Sequence, residues 1–99
     1  MKKFNRSRIE IAYEILTILS RRPRKQTHIM YGVNTSWFPM KKIMTALMDQ
    51  GFVEVLDQGL TDRMKLQKTE IVYRLTEKGF QLQKEMAEIR KKLNSSSLF

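Results

Sequence analysis

The chain has 99 residues, 41% of them hydrophobic, and its nineteen Lys and Arg outnumber ten Asp and Glu for a formal net charge of +9. At that length it is one domain that buries roughly 60 to 65% of its unfolded surface, so the core is small and a partner subunit would help. The absence of cysteine and the single histidine, His28, exclude disulfide staples, thiolate metal sites and a histidine-based catalytic triad.

The charge is uneven. Through Gln50 there are ten basic residues against three acidic, and after it nine against seven. A basic half of this kind is the footprint expected of a phosphate-binding surface. At the N-terminus, Glu10 and Glu14 interrupt the apolar segment that a signal peptide would need, and no run of about eighteen apolar residues occurs. A cytoplasmic protein with no membrane partner is therefore expected.

In chain order, residues 1 to 5 form a short arm in which Lys2 and Lys3 either lie along phosphates or fray. Ser7 is placed to cap a helix reaching about Ser20. Its apolar stripe is Ile9, Ala12, Tyr13, Leu16 and Leu19, widened by Ile11, Ile15 and Ile18, which puts this helix at the centre of the fold. Arg21-Arg22-Pro23-Arg24-Lys25 follows, a loop of cations around a helix-stopping proline, readable as a solvated linker or as a phosphate contact through Arg22, Arg24 and Lys25.

Thr27 to Gln50 reads as two helices around a tight turn. Thr27 is the expected N-cap of the first, on which His28 is a surface polar residue or a phosphate neighbour. Gly32-Val33-Asn34-Thr35 supplies residues suited to a sharp turn. Ser36 then caps the second helix, with Pro39 in its first turn, where a missing N–H has no intrahelical role. In that helix Met40, Ile43, Met44, Leu47 and Met48 recur at three- and four-residue intervals, leaving Lys41, Lys42, Thr45 and Asp49 on the other side. The pattern fits a plain amphipathic helix or the reading helix of a helix-turn-helix, with Ser36, Trp37, Lys41, Lys42 and Thr45 toward DNA.

Gly51 suits the position past a helix end. Phe52 to Leu56 and Glu70 to Leu75 then read as paired strands rich in β-branched and aromatic residues. A hairpin after a helix-turn-helix is a wing, and Arg63, Lys65 and Lys68 in its long loop are candidate DNA contacts. Thr76 is expected to cap the last helix and Gly79 to allow close packing under the hairpin. Leu82, Met86, Ile89 and Leu93 recur along that helix as a short coiled-coil seam, and are the candidate dimer interface. Residues 95–99 form a tail.

The segment Thr27-His28-Ile29-Met30-Tyr31-Gly32-Val33-Asn34-Thr35-Ser36-Trp37 resembles the T-R-I-M-Y-x-A-N-L-S-Y signature of the archaeal 10a-type winged-helix DNA-binding proteins. Tyr73-Arg74-Leu75-Thr76-Glu77-Lys78-Gly79 is similar to the Y-x-L-T-x-K-G run joining their wing to the final helix. The likeness spans about Arg8 to Leu93. It implies a homodimer formed through an antiparallel coiled coil of the last helices, with chromatin-associated or regulatory function. His28 stands where the signature has arginine, and the wing is longer.

The reading is thus an α+β, mostly helical chain. Residues 1–79 form a winged helix-turn-helix head, 80–94 a C-terminal coiled-coil dimerisation helix and 95–99 a tail. Its expected partners are double-stranded DNA and a second copy of itself, with no cofactor, no metal and no catalysis, since neither paired carboxylates, a glycine-rich phosphate loop nor a nucleophile-base pair is seen. The alternative is a winged-helix module for protein-protein interaction within a larger complex. Single-stranded nucleic acid is less well suited, because the aromatics do not form a stacking platform on a sheet.

Overall fold

The computed structural model describes residues 7–56 and 71–95. Helix α1 spans Arg8–Arg21, strand β1 Arg24–Lys25, α2 Gln26–Val33, α3 Trp37–Asp49, β2 Val53–Val55, β3 Val72–Leu75 and α4 Glu77–Ser95. The expected arm, the wing-loop residues Arg63, Lys65 and Lys68, and residues 96–99 of the expected tail lie outside the described residues.

Helix α1 starts on a capping box. The Ser7 hydroxyl accepts from the Glu10 N–H at 3.1 Å while the Glu10 carboxylate accepts from the Ser7 N–H at 2.9 Å, satisfying donors that the helix itself leaves open. The helix is the hub of the molecule: α2, α3, β3 and α4 all pack on it. Its buried residues are Ile11, Ile15, Leu16 and Leu19, so the stripe is turned from the expected one. Ile9, expected inside, is 68% exposed, standing at the rim of a groove between α1 and α3.

The loop after α1 departs from expectation. Arg24 and Lys25 form β1, which pairs antiparallel with β3 through Arg24↔Tyr73 and Lys25↔Val72. The Gln26 N–H then donates to the Ile71 carbonyl at 3.0 Å. This pairing sets the start of α2, so the N-cap is Lys25 and not Thr27, which falls inside the helix.

Two local devices set the ends of α2 and α3. Asn34 takes the left-handed conformation (φ 59°, ψ 52°) that ends α2, with Thr35 N–H bonded back to the Met30 carbonyl at 3.2 Å. Asparagine tolerates this backbone better than other residues with a side chain. At the end of α3, Gly51 has φ +82°, and the N–H groups of Gly51 and Phe52 return to the carbonyls of Met48 and Leu47 at 3.0 and 2.9 Å. That crossed pair of bonds is a Schellman closure and turns the chain into β2.

The sheet order is β1-β3-β2, with Val53↔Leu75, Glu54↔Arg74 and Val55↔Tyr73 in register across β2 and β3. Both strands are shorter than their apolar runs suggest. An ion pair between Arg74 Nε and Glu54 Oε2 at 2.7 Å joins them on the solvent side.

Thr76 caps α4, its hydroxyl accepting from the Gly79 N–H at 3.0 Å. The helix then lies along α1: Gln83 reaches Thr17 at 3.4 Å and the Arg90 guanidinium sits 4.9 Å from the centre of the Tyr13 ring. The boundary expected at 79/80 falls inside α4, and Leu82 and Met86 beyond it pack on the head's own core. Along the expected seam, Leu93 is half-buried and Ile89 is 57% exposed. None of the helices among the described residues is long and apolar enough to cross a membrane.

Candidate nucleic-acid interface

Helix α3 is positioned by its inner side. Met40, Ile43, Met44 and Leu47 are buried and Met48 is half-buried, which turns Lys41, Lys42, Thr45 and Asp49 into solvent. The division falls where the periodicity places it, because the inward residues follow three- and four-residue spacing against α1. Lys41 and Lys42 are exposed, with no element among the described residues laid over them.

The start of α3 faces the same way. Ser36 is its N-cap with an extended backbone, yet its hydroxyl makes no capping bond, and the side chain is exposed. No acidic residue stands in the first turn, so the positive end of the helix dipole is uncompensated there and favours a phosphate. Trp37, expected toward DNA, is half-buried against the core instead, since its place in the first turn lies on the edge of the inward side. Arg22, Lys25 and His28 are exposed. Arg24 is half-buried, and its Nε is enclosed with no hydrogen-bond partner.

Two residues join the surface without having been singled out in the sequence. Phe38 lies one turn before Lys42, in line with Thr45 and Asp49, and is 78% exposed. Its four-residue spacing from Lys42 carries the signal. Arg8, from the first turn of α1, borders the same shallow groove as Phe38, Pro39 and Lys42, an approach that only tertiary packing creates. Arg8 and Lys42 thus bring two cations to the groove that Phe38 borders, and Lys41 stands exposed next to Lys42 on α3. Among the described residues no group of three or more acidic or histidine side chains could hold a metal ion.

A helix-turn-helix followed by an antiparallel strand pair and a long final helix defines a winged-helix protein. Residues 5–94 match the family described as winged helix-turn-helix, and the chain belongs to that family. The uncharacterized protein MJ0287 of Methanocaldococcus jannaschii is 28% identical over 94 residues, covering 95% of this chain and 84% of that protein. The chain is also similar to Sso10a-2, a DNA-binding protein from Sulfolobus solfataricus, with a TM-score of 0.63 and 23% identity over 93% of this chain and 90% of that one. A mutant of Lactococcus lactis ZitR in apo form superposes with a TM-score of 0.71 at 20% identity, covering 92% of this chain. The chain spans 64% of that ZitR structure, and wild-type ZitR has been solved in complex with DNA (TM-score 0.65, 18% identity, 98% of this chain and 61% of that one). The archaeal winged-helix resemblance read in the sequence agrees with the family match and with these relatives.

Proposed function

We propose that this chain binds double-stranded DNA as a homodimer, without catalysis, and acts as a transcriptional regulator or chromatin protein. The observation that carries this reading is the outward lysine side of α3, exposed at the head of the molecule beside Arg8. Lys41 and Lys42 neutralise phosphates, while Ser36 and Thr45 approach base edges from a helix seated in the major groove. Sso10a-2 and ZitR, described as DNA-binding and as solved with DNA, support the reading through a shared fold.

Dimerisation through the outer side of α4 accompanies it. Ile89 and Leu93 supply the contact, joined by the solvent-facing parts of Leu82 and Met86. At 19 residues α4 is about 28 Å long, so heads at opposite ends of such a pair fall about one duplex turn apart. A roughly two-fold symmetric site follows.

The test is a salt titration on duplex DNA. With about six phosphates contacted, log affinity falls against log salt with a slope near −5. Binding indifferent to salt, or absent from every duplex, would remove this reading in favour of a protein-interaction module.

A further inference from the structure

Among the described residues, the two most exposed large apolar side chains flank the turn of the helix-turn-helix: Tyr31 at 86% and Phe38 at 78% of full exposure. Tyr31 carries a hydroxyl that water satisfies. Phe38 has no polar atom, and a lone exposed phenylalanine would mean little anywhere else. Its place decides the matter.

Phe38 is not needed by the core. Met40, Ile43, Met44 and Leu47 fill the inward side of α3. Phe38 stands on the opposite side, in the first turn, in line with Lys42 and Thr45 and bordering the groove that Arg8 and Lys42 share. The N-terminal turns of a reading helix are the part that reaches base edges, and cations beside it hold the phosphates of the flanking backbone. An uncharged ring at the centre of that arrangement meets the floor of the major groove. There the apolar group that a base pair offers is the C5 methyl of thymine.

Resting on the reading of α3 as the DNA-contacting helix, we infer that Phe38 is a specificity-determining residue that packs its ring against thymine methyl groups. The chain then prefers A·T-containing duplex through the major groove. In the groove the neighbours of Phe38 are Arg8 and Lys42 together with Ile11, Pro39 and Ile43; the two cations suit a polyanion and the apolar residues back the ring on one side.

The experiment compares two duplexes of the same alternating A·T sequence, one with deoxyuridine replacing every thymidine, which removes the methyl and keeps every hydrogen-bonding edge. Binding by the full chain and by Phe38→Ala is followed by fluorescence anisotropy at fixed salt, with thermal melting to check that the variant is folded. The expected result is that the wild type binds the thymidine duplex about fourfold more tightly per contacted methyl, and that Phe38→Ala binds both duplexes alike. Equal wild-type affinity for the two duplexes overturns the assignment while leaving the DNA-binding reading intact. Discrimination that survives in Phe38→Ala overturns it too, by assigning the methyl contact to another side chain. No binding to either duplex overturns the underlying reading itself.

Discussion

Gly79 lies against the backbone carbonyl of Phe52 so closely that a Cβ at this position would fall on the carbonyl oxygen, with the Leu75 side chain 3.0 Å away. The hydroxyl of Thr76 braces the same contact, donating to the Gly51 carbonyl at 2.6 Å. Start of α4 and end of α3 are thereby held as one corner, which fixes the tilt of the candidate reading helix relative to the long one. Gly79→Ala must push backbone against backbone. It should cost about 1 to 3 kcal/mol and lower the melting temperature by on the order of 10 °C. An unchanged melt would mean that the corner yields freely.

Tyr73 predicts how stability responds to alkali. Burial raises its phenol above the ordinary value of 10.0, since the charged form loses hydration inside the sheet. The folded state therefore keeps its proton where the unfolded chain releases it. The stabilisation is complete below pH 10 and is lost as pH rises through 10 toward the folded value. Urea midpoints measured from pH 8 to 11 should fall at the alkaline end, and the fall should be shallower in Tyr73→Phe, which has nothing to ionise there. The other groups that titrate in this range are shared by both proteins, so the difference isolates Tyr73.

Charge reversal on α3 separates binding from folding. Lys41→Glu with Lys42→Glu should weaken duplex binding on the order of 100-fold, and each single alanine change should reduce the salt slope by about one. Both side chains are exposed, so the melting temperature should move little. Gel shifts and melts on the same preparations check this, and retained affinity would identify the wrong helix.

The outer side of α4 can be tested without touching the core. Ile89→Glu should give a monomer by sedimentation with a near-native head, because Ile89 is 57% exposed. Met86→Glu should lower the melting temperature as well, because Met86 packs on the core of its own head. If Ile89→Glu leaves the sedimentation unchanged, the proposed pairing through the outer side of α4 is overturned.

The parts of this fold that were legible in the sequence are those with a local cause. Ser7 announces the start of α1, Asn34 and Gly51 mark reversals that few other residues tolerate, and the methionine side of α3 follows helical periodicity. What was missed is what distant segments impose on each other. Arg24 and Lys25 have no strand pattern of their own, and only hydrogen bonding to β3 makes them one. Ile9 fits the stripe of α1 but only borders the groove between α1 and α3 and stays open to solvent. Arg8 gains its place at the groove from the crossing of α1 over α3, and Trp37 turns inward because the core's edge is there to receive it.

Strand β3 has hydrogen-bonded neighbours on both flanks, and on one of them the bonding continues into the first residue of α2 through Gln26 and Ile71. A force applied to the hairpin is consequently delivered to the base of the helix-turn-helix and not dissipated in a hinge. If the two regions grip a duplex together, a tug on one re-seats the other, and their contributions to affinity should be cooperative.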